Sequence, residues 1–282
     1  MKIKAPAKIN LTLDVMRRLP NGYHELKTVF QAVDLCDELK FKSNDSRDIG
    51  ITSNSDQIPL DENNIAYKAA DLLREKYGVE KGIDIHIEKK IPVAAGIAGG
   101  STDAGATFKA LNEIWELSLS QEDLMKLGTE IGMDVAFTIM GGTALGTHFG
   151  EKLEPIKNKL ELNIITVTPE LAVFTKEAYE GLDLAVINQN SAKTDRAVKA
   201  IEAGDLSGLI ENLHNDFEQS IILQHPAISE IKEKMIELGA LGSLMSGSGP
   251  SVFGVWEDEK EAEKAVGILK KKYRQTFLAK SV

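Results

Sequence analysis

The spacing of apolar residues predicts that strands and helices alternate along the first half of the chain. The segments KINLTLDV and LKTVFQAVDL are typical of strands joined by a turn at residues 20–22, and residues 42–63 are polar and typical of turns. A helix face is then traced by Ile65, Ala69, Leu72, Leu73 and Lys76. A half-buried strand follows, since apolar and polar positions alternate over Ile83, Asp84, Ile85, His86, Ile87 and Glu88. The segment EDLMKLGTEI predicts another helix, and MGGTALGTHFGEKL predicts a hairpin of strands broken by glycines.

The second half shows the same mixture, beyond a boundary that we place near residues 155–159. LNIITVTP predicts a strand and TKEAYEGL a short helix. In PAISEIKEKMIELG one helix face carries Ile228, Ile231, Met235 and Leu238, and we expect the helix to end at Gly239. A glycine-rich turn, the strand SVFGVW, the helix EKEAEKAVGILKKKY and the strand TFLAKSV follow. These patterns predict an α+β protein of two domains, residues 1–157 and 158–282.

Composition limits the classes of function. The chain has 282 residues, of which 43% are hydrophobic and 27% charged, a profile typical of a soluble globular protein. Its net charge of −10 argues against nonspecific binding to nucleic acid or to an anionic membrane. No apolar run could span a bilayer, no signal peptide is evident, and Cys36 has no second cysteine with which to pair. We therefore expect a cytoplasmic protein, and a monomer or weak homodimer because no long exposed apolar stripe is evident.

The segment PVAAGIAGGSTDAGATFKALN, residues 92–112, is the most informative part of the sequence. It joins the predicted strand to a loop of glycines and alanines, then to hydroxyl residues and a helix. Backbone N–H groups at a helix N-terminus bind anions, so this order favours a nucleotide phosphate site. It is not a P-loop, because Gly100 is followed by Ser101 and Thr102 rather than by a lysine, and its glycines at 96, 99 and 100 do not have the G-x-G-x-x-G spacing of a dinucleotide fingerprint. The alternative is a plain turn in which Ser101 or Thr102 is the N-cap of the helix.

Four further features are weaker signals. A glycine inside a helix costs about 1 kcal/mol relative to alanine, so Gly105 indicates close packing or binding. Lys8 and Asn10 share one face of the first strand, and that face could be functional or simply solvated. Asp134 could be functional or an ordinary N-cap or turn residue. MSGSGPSVFG could be a tight turn or a second backbone nest for phosphate.

Taken together, the order of these segments resembles the GHMP kinase superfamily. PAKINLTL, NGYHEL, PVAAGIAGGSTDAG, GMDVAF and MSGSGPSVFG follow one another across essentially the whole chain. The first two resemble most closely the members that phosphorylate CDP-methylerythritol, whereas the glycine loop is common to the superfamily. The resemblance implies an N-terminal ATP-binding domain, a C-terminal ferredoxin-like α/β domain and an active site in the cleft between them.

The resemblance also implies a reaction and the residues that perform it. Such enzymes use ATP and Mg²⁺ to phosphorylate the 2-hydroxyl of CDP-methylerythritol, a small-molecule substrate of the non-mevalonate (methylerythritol phosphate) route to isoprenoids. The family's catalytic lysine and aspartate correspond to Lys8 and Asp134. The resemblance places ATP at Asn64, Lys89, Pro92, Val93, Ala94, Ala95, Gly96, Ile97, Ala98, Gly99, Gly100, Ser101 and Thr102. It places the phosphoryl acceptor at Asn10, Tyr23, His24, Phe149, Thr175 and Tyr179. Ser101 or Thr102 would supply an oxygen ligand to Mg²⁺.

These roles agree with the chemistry of the residues. Phosphoryl transfer depends on positioning and charge stabilisation, so Asp134 could accept or orient the hydroxyl proton while Lys8 keeps that carboxylate ionised. His24 offers the edge of a cytosine one donor and one acceptor. Tyr23 and Tyr179 could sandwich the ring, or could be ordinary half-buried packing. Two alternatives stay open, namely another GHMP small-molecule kinase and a catalytically silent nucleotide-binding regulator on the same fold.

Several positions depart from the family pattern. Ala94, Ala95 and Ala98 stand where glycine is common, and alanine does not reach a positive φ at low cost, so we expect a stiffer loop. Phe149 stands beside the expected cytosine position, where a smaller residue is common. These departures concern affinity and fine geometry rather than the class of reaction.

Overall fold

The structure is a computed structural model that describes residues 1–20, 23–173, 175–182, 187 and 190–282. Asn21 and Gly22 of the predicted first turn therefore lie outside the described residues. The strands are β1 (Lys2–Arg18), β2 (His24–Asn44), β3 (Ile49–Ser53), β4 (Gly82–Glu88), β5 (Thr143–His148), β6 (Lys152–Pro155), β7 (Asn163–Thr168), β8 (His214–Asn215), β9 (Gly242–Met245), β10 (Val252–Trp256) and β11 (Gln275–Lys280). The helices are α1 (Ile65–Tyr77), α2 (Gly99–Ile114), α3 (Gln121–Ile131), α4 (Met133–Met140), α5 (Thr175–Glu180), α6 (Ser191–Ala203), α7 (Leu206–Glu211), α8 (Glu218–Gln224), α9 (Ala227–Glu237) and α10 (Glu259–Leu269).

The chain forms two compact units, each assembled from several segments. The first unit contains Met1–Ala7, Cys36–Val93 and Ala98–Gly141. The second unit contains Lys8–Leu35, Ala94–Ile97 and Gly142–Val282. Strands β1 and β2 and the glycine loop therefore each contribute residues to both units. The division of the chain into residues 1–157 and 158–282 stays a prediction about the family's two domains.

The first unit is built on strands in the order β3-β4-β2-β1. Strand β4 pairs in parallel with β3 and antiparallel with β2, so that Ile85 lies opposite Ile51 on one side and Phe41 on the other. The alternation predicted for β4 is confirmed, because Ile83, Ile85 and Ile87 are buried. These side chains share one core with the apolar faces of α1, α2 and α3. The glycine loop thus starts from a strand that burial holds in place.

The second unit contains two sheets. In one, β1 lies between β2 and the parallel strand β8, while β5 pairs antiparallel with both β2 and β6. The other is antiparallel, with the order β11-β7-β10-β9. The predicted face of α9 is confirmed, since Ile228, Ile231 and Met235 are buried in one core with Trp256. Gly239 follows that helix with φ of +95°, as expected of a glycine that terminates a helix.

The α+β class is confirmed, and two local elements were not predicted. The turn-rich residues 42–63 also contain the end of β2, which continues to Asn44, and all of β3. Helix α4 was not predicted, since MDVAFTIM is apolar on nearly every side and its N-cap is Gly132, which has no side chain to signal a helix start. Within the described parts of the chain, no helix combines the length and apolar composition needed to cross a bilayer.

Candidate active site

The loop between β4 and α2 contains three residues in the left-handed region. Ala94 has φ of 53°, Gly96 of 76° and Ala98 of 62°. Alanine reaches this region at a cost of about 1 kcal/mol relative to glycine, so the surrounding structure must hold Ala94 and Ala98 there. Alternation of left-handed and ordinary residues can turn backbone N–H groups toward one side, as in anion-binding nests.

Contacts within the second unit hold the central part of this loop. Ser246 Oγ donates to the Gly96 carbonyl oxygen at 3.1 Å, and the Ser251 N–H donates to the Ala95 carbonyl at 3.1 Å. A Cβ atom at position 96 would lie 2.4 Å from the Ser246 carbonyl oxygen and 2.8 Å from that of Gly249. Only glycine therefore fits at Gly96. The MSGSGP segment is thus a tight turn, which is one of the two interpretations offered by the sequence. Its contacts with residues 95 and 96 hold the glycine loop.

Helix α2 begins without a capping side chain. Its N-cap is Ala98, and no side-chain hydrogen bond caps the helix there. Ser101 and Thr102 lie inside the helix, so the alternative in which either is the N-cap is wrong. Gly100, in the first turn, is exposed. An uncapped helix start with an exposed glycine can bind a phosphate group through backbone N–H groups.

The two hydroxyl residues that follow have different surroundings. Thr102 is buried, and its Oγ1 donates to the Pro6 carbonyl oxygen at 2.5 Å. Ser101 is only partly buried, and its carbonyl accepts from Thr138 Oγ1 at 2.9 Å. Of the two candidates for a metal ligand, Ser101 is therefore the more exposed residue.

Gly105 allows α2 to approach α4, the helix that carries Asp134. A Cβ atom at position 105 would lie 2.4 Å from Thr138 Oγ1, so close packing explains this glycine, as the sequence indicated. Asp134 lies in the first turn of α4 and is partly buried. Gly132 is the N-cap, so the interpretation of Asp134 as an N-cap is wrong. An acidic side chain in the first turn of a helix interacts favourably with the helix dipole.

Lys89 lies in a buried ionic cluster at the start of the loop. Its Nζ is 2.5 Å from Asp37 Oδ2 and 2.8 Å from Asp103 Oδ2, and the three side chains are at most 5% exposed. Asp37 Oδ1 also accepts the N–H groups of Lys90 at 2.6 Å and Ile91 at 2.9 Å. The cluster thus ties β2, the loop entrance and α2 together. A direct contact of Lys89 with ATP stays a prediction.

One ammonium group in this cluster faces two carboxyl groups. Burial raises the pKa of Asp103 to about 8, with Lys89 opposing the shift and the Asp37 carboxylate adding to it. Burial lowers the pKa of Lys89, but the two carboxylates outweigh it, so that this pKa is raised overall. Asp103 Oδ1 has no hydrogen-bond partner among the described residues, whereas Asp37 accepts three N–H groups. At neutral pH Asp103 therefore carries a proton.

Asn64, which the resemblance also places at ATP, is the N-cap of α1. Its Oδ1 accepts from the Ala66 N–H at 2.9 Å, and its Nδ2 donates to the Pro59 carbonyl oxygen at 2.7 Å. Both ends of the buried amide therefore have structural partners. A role of Asn64 in binding ATP stays a prediction.

In the second unit, Lys8 and Asn10 lie side by side on β1. They are 4% and 2% exposed, so the alternative of a solvated polar face is wrong. Lys8 Nζ donates to Asn10 Oδ1 at 2.8 Å and lies 5.2 Å from the centre of the Phe30 ring. Asn10 Nδ2 donates to Thr28 Oγ1 at 2.8 Å. The ammonium group is thus held by the Asn10 amide oxygen and the face of the Phe30 ring, both within the protein interior.

The residues predicted to bind cytidine form two aromatic groups in the second unit. The His24 ring stacks on Tyr179, with 4.9 Å between centroids and 17° between planes. Phe217 meets Tyr179 edge-on at 4.9 Å, which holds the tyrosine ring in its orientation. Burial, and secondarily Arg18, lowers the pKa of His24. The imidazole is therefore neutral at pH near 7, with one donor and one acceptor nitrogen.

The second aromatic group is at the tip of the β5–β6 hairpin. Tyr23, which is 66% exposed, lies 5.5 Å from Phe149, and His148 lies 3.9 Å from the same ring. Glu151 accepts from the Phe149 N–H at 2.9 Å and lies 2.5 Å from His148 Nδ1. A sandwich of cytosine between Tyr23 and Tyr179 stays a prediction, since Tyr179 stacks on His24 whereas Tyr23 is tilted against Phe149.

Thr175 contacts the glycine-rich turn of the second unit, with 3.1 Å between its Oγ1 and Ser248 Oγ. The sequence did not single out Thr28, Asp37 or Asp103 as site residues. Asp37 had a detectable signal, because a carboxylate within the apolar segment VFQAVDLCDEL must find a partner if that segment is buried.

Comparisons with known proteins point to the same family as the motifs. Residues 64–142 match the GHMP kinases N terminal domain, and residues 197–275 match GHMP kinases C terminal. A 4-diphosphocytidyl-2-C-methyl-D-erythritol kinase of Caldicellulosiruptor bescii is 46% identical over 270 residues, which are 96% of this chain and 94% of that protein. The crystal structure of a 4-(cytidine 5'-diphospho)-2C-methyl-D-erythritol kinase has a TM-score of 0.86 at 30% identity, covering 100% of this chain and 99% of its own. A homoserine kinase from Cytophaga hutchinsonii, with a TM-score of 0.81 and 22% identity, covers 100% of this chain and 94% of its own and shares the fold.

Proposed function

The chain belongs to the GHMP kinase family, and we propose that it transfers the γ-phosphoryl group of ATP to the 2-hydroxyl of 4-diphosphocytidyl-2-C-methyl-D-erythritol. The observation that carries this proposal is 46% identity, over nearly the whole length, to a kinase of that name. Likeness to a homoserine kinase at 22% identity supports the fold alone. A neutral His24 stacked on Tyr179 further favours a pyrimidine nucleotide, a group that homoserine and mevalonate lack.

The acceptor would be recognised through its cytosine. His24 can donate to one atom of the cytosine edge and accept from another, because its imidazole is neutral. Tyr179 offers a flat surface whose orientation is set by Phe217. Stacking of a base on an aromatic side chain contributes about 1–3 kcal/mol, enough to make Tyr179 a main determinant of affinity.

The donor would be held by the loop and the start of α2. Backbone N–H groups there attract the phosphates of ATP, the phosphoryl donor of GHMP kinases. The residues fit a magnesium ion, because Ser101 is a partly exposed hydroxyl residue near the uncapped helix start, while the Thr102 hydroxyl donates to the Pro6 carbonyl. Mg²⁺ would be held by Ser101 Oγ together with phosphate oxygens and water, and it would offset negative charge on the transferring group.

The transfer itself would use Asp134 and Lys8. Asp134, in the first turn of α4, would accept the proton of the 2-hydroxyl or orient that hydroxyl for attack. Lys8 would offset the charge that develops on the phosphoryl group. Its ammonium is already desolvated and held by Asn10, so little reorganisation is needed during the reaction.

Substitution of Tyr179 tests the substrate assignment. Tyr179→Ala removes the stacking surface, so KM for the cytidine substrate should rise about tenfold to a hundredfold while KM for ATP stays unchanged. Tyr179→Phe keeps the ring and should behave like the wild type. An unchanged KM for the cytidine substrate in Tyr179→Ala would show that this ring does not bind cytosine.

A further inference from the structure

Within the second unit, a chain of buried hydrogen bonds joins Lys8 to Thr28 through Asn10. We infer that Thr28 is a positioning residue, whose hydroxyl sets the orientation of the Asn10 amide and thereby places the Lys8 ammonium. This inference rests on the proposed function, because it takes Lys8 to act on the transferring phosphoryl group. The three side chains are at most 4% exposed, so solvent cannot substitute for any of these contacts.

Counting protons fixes the direction of each bond. The Thr28 hydroxyl has one proton, and it lies 2.6 Å from the Thr12 carbonyl oxygen, which can only accept. Thr28 Oγ1 can therefore offer Asn10 only a lone pair, and the Asn10 group at 2.8 Å from it must be the donor, Nδ2. Oδ1 is then left to face the Lys8 ammonium at 2.8 Å.

The opposite orientation of the amide is excluded on both sides. It would place Oδ1 against an oxygen with no proton to give, and Nδ2 against an ammonium group with no lone pair. Each of these contacts repels in a buried, weakly screened environment. Thr28 thus selects which end of Asn10 meets Lys8.

The position of Thr28 is itself well determined. The Val29 N–H donates to Thr12 Oγ1 at 3.1 Å, so two successive residues of β2 are fastened to one residue of β1. Thr12 Oγ1 also lies 2.8 Å from Thr194 Oγ1, on α6. Because these contacts hold Thr12, the carbonyl oxygen that receives the Thr28 proton has a fixed position. Thr28 Oγ1 can therefore present a fixed lone pair to Asn10, as a pre-organised site requires.

The test compares Thr28→Val with Thr28→Ser and with a control. Valine keeps the shape of threonine but has no hydroxyl, so kcat should fall about tenfold to a hundredfold with KM for ATP unchanged, as for a misplaced catalytic group. Thr28→Ser restores the hydroxyl and should recover kcat to within about threefold. Thr166→Val is the matched control, because among the described residues the buried Thr166 hydroxyl has no hydrogen-bond partner. It should leave kcat at the wild-type value.

A second measurement observes the amide without relying on activity. The side-chain N–H₂ signal of Asn10, identified by its absence in Asn10→Asp, should move in the ¹⁵N-correlated NMR spectrum of Thr28→Val and stay in place in Thr166→Val. Wild-type kcat together with an unmoved Asn10 signal in Thr28→Val would overturn the inference, as would failure of Thr28→Ser to recover activity. Either result leaves the proposed function intact, since that proposal fails only if the wild-type protein does not turn over the cytidine substrate.

Discussion

The titration of Asp103 should lower the free energy of unfolding of the wild type as the pH rises from acidic to mildly alkaline. Asp103→Asn should abolish this decrease. Asp103 is buried beside Lys89 and Asp37, and its pKa is raised from 3.8 to about 8. Asp103→Asn keeps an oxygen that can accept from Lys89 Nζ, but it cannot ionise. The substitution therefore isolates the effect of this one titration.

The sign and size follow from proton linkage. A group whose pKa is raised by folding gives its full stabilisation below its unfolded pKa and loses it as the pH rises through its folded pKa. Between about pH 4 and pH 8 the folded protein holds a proton that the unfolded chain has released, so the free energy of unfolding falls by at most about 1.4 kcal/mol per pH unit. Across the window the loss caused by Asp103 amounts to a few kcal/mol. The raised pKa of Lys89 acts in the same direction, but only at pH above 10.5.

Urea unfolding at several pH values measures this loss. Trp115 is buried in the first unit, together with Asp103, so its fluorescence reports on the unit that contains the substitution. The free energy of unfolding of the wild type minus that of Asp103→Asn should decline steadily from about pH 5 to pH 8 and level off above that range.

Asp123→Asn is a control with the opposite titration. The Ser120 hydroxyl lowers the pKa of the exposed Asp123 carboxyl, so its contribution is present above the usual pKa and is lost only as the pH falls through the lowered value. The difference between wild type and Asp123→Asn should therefore be flat over the same window. A flat difference for Asp103→Asn as well would refute the reasoning, because it would mean that Asp103 is already ionised in the folded protein.

Three further substitutions test other parts of the site. Asp134→Asn should keep ATP binding, measured by calorimetry, but lower kcat by about 10²- to 10⁴-fold, as loss of a general base does. Turnover at the wild-type rate would exclude that role for Asp134. Ala98→Gly should change the midpoint of urea unfolding little or raise stability by up to about 1 kcal/mol, since glycine relieves the positive φ; a clear loss would show that Ala98 is unstrained. Asn215→Ala should cost about 2–3 kcal/mol in the same assay, because Nδ2 donates to the carbonyls of Met245 and Gly247, both at 2.8 Å; an unchanged midpoint would contradict this anchoring role.

Local patterns in the sequence were enough to predict the elements that frame the site. The alternation around Ile85 marks β4 because strand side chains point alternately to the two faces of a sheet. The spacing of Ile228, Ile231 and Met235 marks α9 because a helix repeats every 3.6 residues. The order of strand, glycine loop and helix then located the phosphate-binding segment, and the superfamily resemblance supplied the roles of Lys8 and Asp134.

The contacts that hold the site could not be predicted in the same way. Lys89 and Asp37 are 52 residues apart in the chain, and Asn10 and Ser246 are 236 apart, so no local pattern pairs them. The positive φ of Ala98 runs against the preference of alanine, and only tertiary contacts can impose it. Helix α4 was missed because an apolar segment of eight residues has no helical periodicity to detect. Thr28 was missed because threonine is common in strands. Its proposed role depends on hydrogen bonds to Thr12 and Asn10 that form only in the folded protein.

The measurement that tests the central claim most directly is ADP release by the purified protein with Mg²⁺-ATP, in a coupled assay that compares three acceptors. With 4-diphosphocytidyl-2-C-methyl-D-erythritol we expect ADP release that depends on the acceptor, and with mevalonate and homoserine we expect none above the background. Turnover of mevalonate or homoserine instead would keep the kinase family and contradict the cytidine site at His24 and Tyr179. ATP binding without turnover of any acceptor would contradict the proposed activity and leave a nucleotide-binding regulator on the same fold.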